Sequence, residues 1–282
     1  MDNLKAKKRH PEEIAVYSAI YVCAAFSVLL LLGIIVYVFA KGARRVNWAF
    51  LTGVTSILHG TVGIAGNILN TLIIILLTMI ITTPIGVGAA IYLNEYAKPG
   101  KLVTVIIFAT ETLAGIPSII FGLFGMLFGQ LCHMGYSLLT GSLTLTLMVL
   151  PLVTRNTQEA LKTVPDSFRT GAVGLGAGKW YTIRTILLPS AMHGIVILAI
   201  GRIIGESAAL LFTAGSAHLL PKTFNAFLEK IFHSGGTLTI QLYLSASKGE
   251  FEVAFGIAVV LLVIVLLINF GTKRLAKKLE KH

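Results

Sequence analysis

Long runs without an acidic or basic residue dominate this chain. The first runs from Ile14 to Ala40, and a second from Val46 to Asn94 is most apolar between Gly66 and Leu93. A third, from Leu102 to Gly129, is interrupted only by Glu111, and a fourth extends from Leu138 to Thr154. The fifth, Pro189 to Phe212, contains Arg202 and Glu206, and the sixth covers Val253 to Thr272. A helix needs about 20 apolar residues to cross a hydrocarbon core of about 30 Å. The pattern therefore predicts an all-α integral membrane protein with six transmembrane helices and both termini on one side. It divides into a basic N-terminus (1–13), a first span (14–40), an external loop (41–65), a core of five spans (66–272) and a basic C-terminus (273–282).

Composition agrees with that division. Of 282 residues, 55% are hydrophobic and only 12% charged, against about 25% charged in soluble domains, which argues against a soluble enzyme. The net charge of +11 takes its meaning from position. Lys5, Lys7, Lys8 and Arg9 fall on the same side as Lys98, Lys101, Arg155, Lys162, Arg169, Lys179, Arg184 and the cluster from Lys273 to Lys281. The other side holds Lys41, Arg44, Arg45, Lys222, Lys230 and Lys248. The positive-inside bias makes the first side, with both termini, cytoplasmic. No basic face is interleaved with stacking aromatics, so no nucleic-acid partner is expected and the lipid bilayer is. The first run exceeds a signal peptide's apolar stretch and ends at Lys41 without a cleavage pattern, which predicts a retained anchor. Cys23 and Cys132 form no disulfide framework, and neither they nor the dispersed histidines show metal-ligand spacing.

Two polar segments break the monotony. Externally, Thr213 to Glu252 contains a mixed stretch, Phe224 to Phe232, suited to an interfacial helix. On the cytoplasmic side the loop 154–189 is too polar to span. Thr157 can cap a short helix, Pro165 breaks it, and Asp166 or Ser167 can cap a second helix that ends among Gly174, Gly176 and Gly178. The Gly178-Lys179 pair is not a Walker loop, because Val173 stands where a glycine is required and Trp180 follows the lysine. The dinucleotide fingerprint fails as well, at position 179, so no nucleotide cofactor is expected on this chain.

This cytoplasmic loop resembles the EAA loop of binding-protein-dependent ABC importer permeases, E-A-A-x3-G-x9-I-x-L-P. Here it reads Thr170-Gly171-Ala172, Gly176, Ile186, Leu188 and Pro189, with Thr170 in place of the acid and Gly171 in place of the first alanine. The segments AAIYLNEYA (89–97), TLAGIPSIIFGLFG (112–125), TRNTQEALKTVPDSFR (154–169) and GRIIGESAALLFTAG (201–215) are similar to the PstA branch of phosphate permeases. The resemblance implies the type I importer fold, with a coupling-helix loop, and a non-catalytic membrane subunit of a phosphate importer. It implies as partners a homologous second permease, a homodimeric ATPase that binds ATP and Mg, and an extracytoplasmic phosphate-binding protein. Glu159, Thr170, Gly171, Ala172, Gly176, Lys179, Trp180 and Pro189 would then belong to the ATPase-coupling segment.

The intramembrane charges suit an anion path. Arg202 and Glu206 are four residues apart, hence on one face if the helix is continuous. At 1.5 Å per residue, Glu111 and Arg202 lie about 14 and 20 Å into spans three and five, so these also meet if their helices adjoin. Arg202 would contact or steer phosphate while Glu206 and Glu111 hold it or exchange with it. A purely structural charge cluster is the alternative. Pro117 and Ser118 predict a bend, either an ordinary kink or a pathway element. The pairs Gly86/Ala90 and Gly201/Gly205 predict close helix packing. Other tetrahedral oxyanions, sulfate or molybdate, make similar demands on an Arg-lined path, and a secondary transporter or channel would have to rely on Glu111 and Glu206 for protons.

Overall fold

The computed structural model describes residues 11–56, 61–221 and 223–279, with side chains described except at 11, 12, 14, 56, 189–197 and 275–279; the basic N-terminal residues therefore lie outside the described part. The first helix, α1 (Pro11–Gly42), covers the first apolar run. A 3-10 turn follows, then α2 (Trp48–Thr52), capped by Asn47, whose side chain accepts from Phe50 N–H at 2.8 Å. Strands β1 (Val54–Ser56) and β2 (Thr61–Ile64) pair antiparallel, so the segment expected as an external loop carries a small hairpin. The second run forms α3 (Ala65–Ile91), which continues through Pro84 into a π-helical turn, Tyr92–Tyr96.

The third run breaks at the bend that Pro117 and Ser118 predict. It forms two helices, α4 (Lys101–Ala114) and α5 (Ser118–Leu131), bent by 102° at Gly115-Ile116-Pro117. Proline disfavours helical conformation in the residue before it and supplies no N–H, so the ladder ends there. α6 (Leu138–Thr163), capped by Ser137 through Thr140 N–H, runs nine residues beyond the expected end of span four. Thr157 does not start a new helix; its hydroxyl donates to Val153 O inside α6. Pro165 does end the helix, and α7 (Asp166–Gly174) and α8 (Lys179–Thr182) follow, the latter passing through a π-helical turn into α9 (Leu188–Gly205). The fifth run is also broken: α9 stops at Gly205 and α10 (Ala208–Thr213) begins three residues later. α11 (Phe224–Glu229) and a 3-10 turn, Lys230–Phe232, fill the stretch expected as an external interfacial helix. Lys230 is buried there with Nζ donating to Leu219 O, and burial lowers its pKa below the ordinary lysine value. Last come α12 (Leu238–Ser247) and α13 (Phe251–Leu279).

Among the described residues four helices, α1, α3 with its π turn, α6 and α13, are long and apolar enough to cross a membrane, and the bent α4–α5 pair is a fifth candidate. α3, α6 and α9 form the centre, where Ile74, Leu145, Val153, Leu161 and Ile203 are buried together. α1 rests on α13, with Tyr37 edge-on to Phe255 at 5.6 Å, and exposes most of its apolar residues. Gly86 lies on Val153 and Ala90 is fully buried, as that small-residue pair predicts. Gly201 and Gly205 instead face open space, with nothing within 4 Å of a Cβ at either position among the described residues.

Close approach of α5 to α10 depends on a missing side chain: a Cβ on Gly122 would lie 2.8 Å from Ala209 Cα. Overpacking of a tight contact costs about 1–3 kcal/mol. Gly122→Leu is therefore expected to lower the thermal midpoint of the purified protein by several degrees, whereas Gly33→Leu, on a helix face with nothing within 4 Å, should leave it unchanged; a fluorescence-monitored melt of the two variants checks this.

Candidate functional site

The loop between α6 and α9 is anchored rather than free. The Arg169 guanidinium donates to Glu95 Oε1 at 3.0 Å, Leu161 O at 2.9 Å, Val164 O at 2.9 Å and Asp166 Oδ1 at 2.9 Å. It joins the end of α6 and the start of α7 to the π turn that closes α3. Glu95 is only 8% exposed and also accepts from Asn94 Nδ2 at 2.8 Å. Lys179 adds a second tie: its Nζ donates to the Glu95 carbonyl and sits 4.6 Å from the Tyr96 ring centroid. Charge-assisted forked bonds of this kind are strong and geometrically specific. Sequence reasoning missed Glu95 and Arg169, although Glu95 is the sole acid between Glu13 and Glu111.

α7 ends in a Schellman-type turn. Gly176 N–H donates to Val173 O and Ala177 N–H to Ala172 O, both at 2.9 Å, with Gly176 at φ +81°. A left-handed conformation costs other residues about 1–2 kcal/mol, which explains the glycine. Of the EAA-like triplet, Ala172 is packed inside, whereas Thr170 and Gly171 are exposed, the Thr170 hydroxyl turning back to Asp166 O at 3.2 Å. Phe168, Val173, Leu175, Trp180 and Tyr181 are exposed apolar side chains on this segment, Leu175 at 91%. Pro189 lies in the first turn of α9, its side chain outside the described set. Glu159 is not on α7 at all; it lies on α6, paired with Arg155 at 3.1 Å.

The intramembrane charges gather at the two helix breaks. Glu206 falls just past the end of α9, so it and Arg202 do not share one continuous helix. They still approach to 3.8 Å, with Arg202 52% exposed and Glu206 6%. The other Glu206 oxygen accepts from Ala209 N–H at 3.1 Å and caps α10, while Thr239 donates to the Glu206 carbonyl at 3.0 Å. A carboxylate at a helix N-terminus is favoured by orphan N–H groups and by the helix dipole, which gives this acid a structural reason to be inside an apolar run.

Arg202 also lines a cavity of about 490 Å³, walled by Thr110, Glu111 and Ile116 from α4 and the bend, Phe121 from α5, and Met148, Pro151 and Arg155 from α6. Glu111 and Arg202 thus share a wall, although they form no ion pair among the described residues. The bend created by Pro117, with Ser118 opening α5, shapes this space, but its wall comes from Ile116 and Phe121. A smaller adjoining cavity of about 180 Å³ shares Thr110, Glu111 and Arg155, and adds Gln158, Glu159 and Lys162. Arg155, read from the sequence only as a cytoplasmic charge, is the residue common to both that the charge pattern did not single out.

Residues 82–282 match the family described as binding-protein-dependent transport system inner membrane component. The chain is 34% identical over 273 residues to the probable ABC transporter permease protein YqgI of Bacillus subtilis (strain 168), covering 92% of this chain and 93% of that protein. It is 34% identical over 245 residues to the phosphate transport system permease protein PstA of Xylella fastidiosa (strain Temecula1), covering 84% and 82%. Among solved structures, a chain of the bacterial alginate ABC transporter in complex with its periplasmic protein aligns with a TM-score of 0.63 at 15% identity over 94% of this chain and 96% of that one. A chain of the inward-facing MetNI methionine ABC transporter aligns with a TM-score of 0.58 at 21% identity over 77% and 94%. The family match over these residues and the near full-length relatives agree with the apolar helices and the loop anchored at Glu95: this chain belongs to the inner-membrane components of binding-protein-dependent transport systems.

Proposed function

We propose that this chain is the permease subunit of an ATP-driven importer of inorganic phosphate. The observation that carries the reading is the anchored α7 segment, which presents Phe168, Val173, Leu175 and Trp180 outward while Arg169 and Lys179 fasten it to Glu95. Such a segment is a lever: an ATPase that moves α7 displaces the ends of α3 and α6 instead of flexing a loop. Phosphate as cargo is supported by the relatives named as phosphate permeases, the Xylella protein among them, and by arginines facing the cavity.

In this reading six spans are formed by α1, α3, α4–α5, α6, α9–α10 and α13, with both termini on the cytoplasmic face. A homologous second permease covers exposed apolar helix faces, a homodimeric ATPase supplies ATP and Mg, and an extracytoplasmic phosphate-binding protein delivers the anion. The chain itself is non-catalytic and resides in the inner membrane of a prokaryote. Reconstitution of the complex in liposomes, with ATP-dependent uptake of phosphate measured against sulfate and molybdate, tests the whole; uptake independent of ATP, or preference for another oxyanion, would overturn it.

Coupling through α7 depends on the left-handed exit at Gly176. Gly176→Val should lower ATP-driven uptake severalfold while the complex still assembles, and Gly176→Asn should retain most activity, because Asn tolerates that conformation. Normal uptake by the valine variant would remove the turn from coupling.

Orientation is checked in a chain lacking Cys23 and Cys132. Leu175→Cys should react with an impermeant thiol reagent only from the cytoplasmic face and His233→Cys only from outside. Labelling of both from one face would refute the six-span arrangement.

Arg202→Gln alone leaves the buried Glu206 without its cation and confounds assembly with transport. The double variant Arg202→Gln with Glu206→Gln removes that imbalance and keeps an amide oxygen to cap α10. Assembly is expected to recover and phosphate uptake to stay at least about tenfold down; recovered flux would show that Arg202 serves only to neutralise Glu206.

A further inference from the structure

Three helices each bring one charged side chain to the same cavity: Glu111 from α4, Arg155 from α6 and Arg202 from α9. Their hydrogen-bonding capacity is largely unspent. Arg155 uses Nε on Glu159 at 3.1 Å, which leaves its two terminal nitrogens. Arg202 stands 3.8 Å from Glu206, whose other oxygen is held by Ala209 N–H. Glu111 is exposed to the cavity and forms neither an ion pair nor a side-chain hydrogen bond among the described residues. The 490 Å³ volume has room for a tetrahedral oxyanion with several waters of about 30 Å³ each.

A carboxylate in an anion site is a selective element. Two guanidinium forks suit the ionised oxygens of phosphate or sulfate equally well. Glu111 does not treat the two alike: as a carboxylate it only accepts. Inorganic phosphate at neutral pH keeps at least one P–OH and can donate to it. Sulfate, fully ionised, meets it with acceptor against acceptor and charge against like charge. A site built to receive a donor rejects an analogue that lacks it more strongly than apolar contacts can.

Resting on the importer reading above, we propose that this cavity is a selective binding station for a protonated tetrahedral oxyanion, in which Arg155 joins Arg202 in holding the ionised oxygens and Glu111 accepts from the remaining hydroxyl. Selection for phosphate is thereby repeated inside the membrane subunit. Arg155 also belongs to the wall of the smaller cavity with Gln158 and Lys162, so an anion leaving Arg202 passes it on the way toward the end of α6.

The test uses the assembled complex, without Cys23 and Cys132, carrying Thr110→Cys as a reporter in the wall of both cavities and, as a second reporter, Leu152→Cys. Maleimide labelling rates are measured with inorganic phosphate or sulfate at equal ionic strength. Phosphate should slow labelling at least about fivefold and sulfate should not. Arg155→Gln should abolish protection by phosphate. Glu111→Gln, which offers both an acceptor and a donor, should make sulfate protective as well. Equal protection by the two anions in the parent, persistent phosphate protection with Arg155→Gln, or unaltered discrimination with Glu111→Gln would each overturn the proposal. Absence of protection in a complex that still imports phosphate with ATP would overturn the station and leave the importer reading standing; a complex that imports no phosphate would overturn the importer reading itself.

Discussion

Backbone hydrogen bonds inside an apolar medium have no water to fall back on, and this constraint organises the molecule. Helices continue wherever they can: α6 runs from Leu138 through Pro151 to Thr163, and α3 continues through Pro84. Where a helix breaks within an apolar run, particular groups take over the freed positions. At 115–117 a proline without an N–H starts the new helix. At 206–207 the Glu206 carboxylate receives Ala209 N–H, and Thr239 donates to the Glu206 carbonyl. The cavity with its charges lies between these two breaks, so the same interruptions that would destabilise a simple bundle create its polar interior.

The two candidate sites are physically continuous. α6 contributes Met148, Arg155 and Glu159 to the cavities and, close after them, the Leu161 carbonyl that, with that of Val164 just past its end, holds Arg169. Arg169 in turn holds Glu95 at the end of α3. A displacement of α7 therefore acts on the two helices at the centre of the core, one of which lines the charged space. Removing either partner of this mostly buried pair would leave the other charge uncompensated, so Arg169 and Glu95 hold the ends of α3, α6 and α7 in one arrangement.

Much of this architecture is legible in the sequence. The apolar runs located the long helices; Pro165 and the glycines at 174 and 176 bounded α7; and the spacing Gly176, Ile186, Leu188, Pro189 pointed to the family. Arg202 and Glu206 stood out as charges in an apolar run, and they do approach each other. Pro117 marked the bend in the third run but not its angle of 102°, and less legible were the break after Gly205, the hairpin before α3 and the uninterrupted length of α6. Thr157 illustrates the difficulty, since a threonine that can cap a helix can equally donate to the carbonyl four residues earlier within one.

Hydropathy and spacing by themselves determined an α-helical membrane protein with one long polar loop between apolar runs and a few charges inside those runs, because the cost of burying charge and the length of a spanning helix are local properties of the chain. Which charges share a space was decided only by the tertiary structure. Glu111, Arg155 and Arg202 come from three helices distant in sequence, and Glu95 reaches Arg169 across 74 positions. No local pattern encodes those neighbours; they follow from how α3, α6 and α9 pack and from the close approach that Gly122 and Gly86 permit.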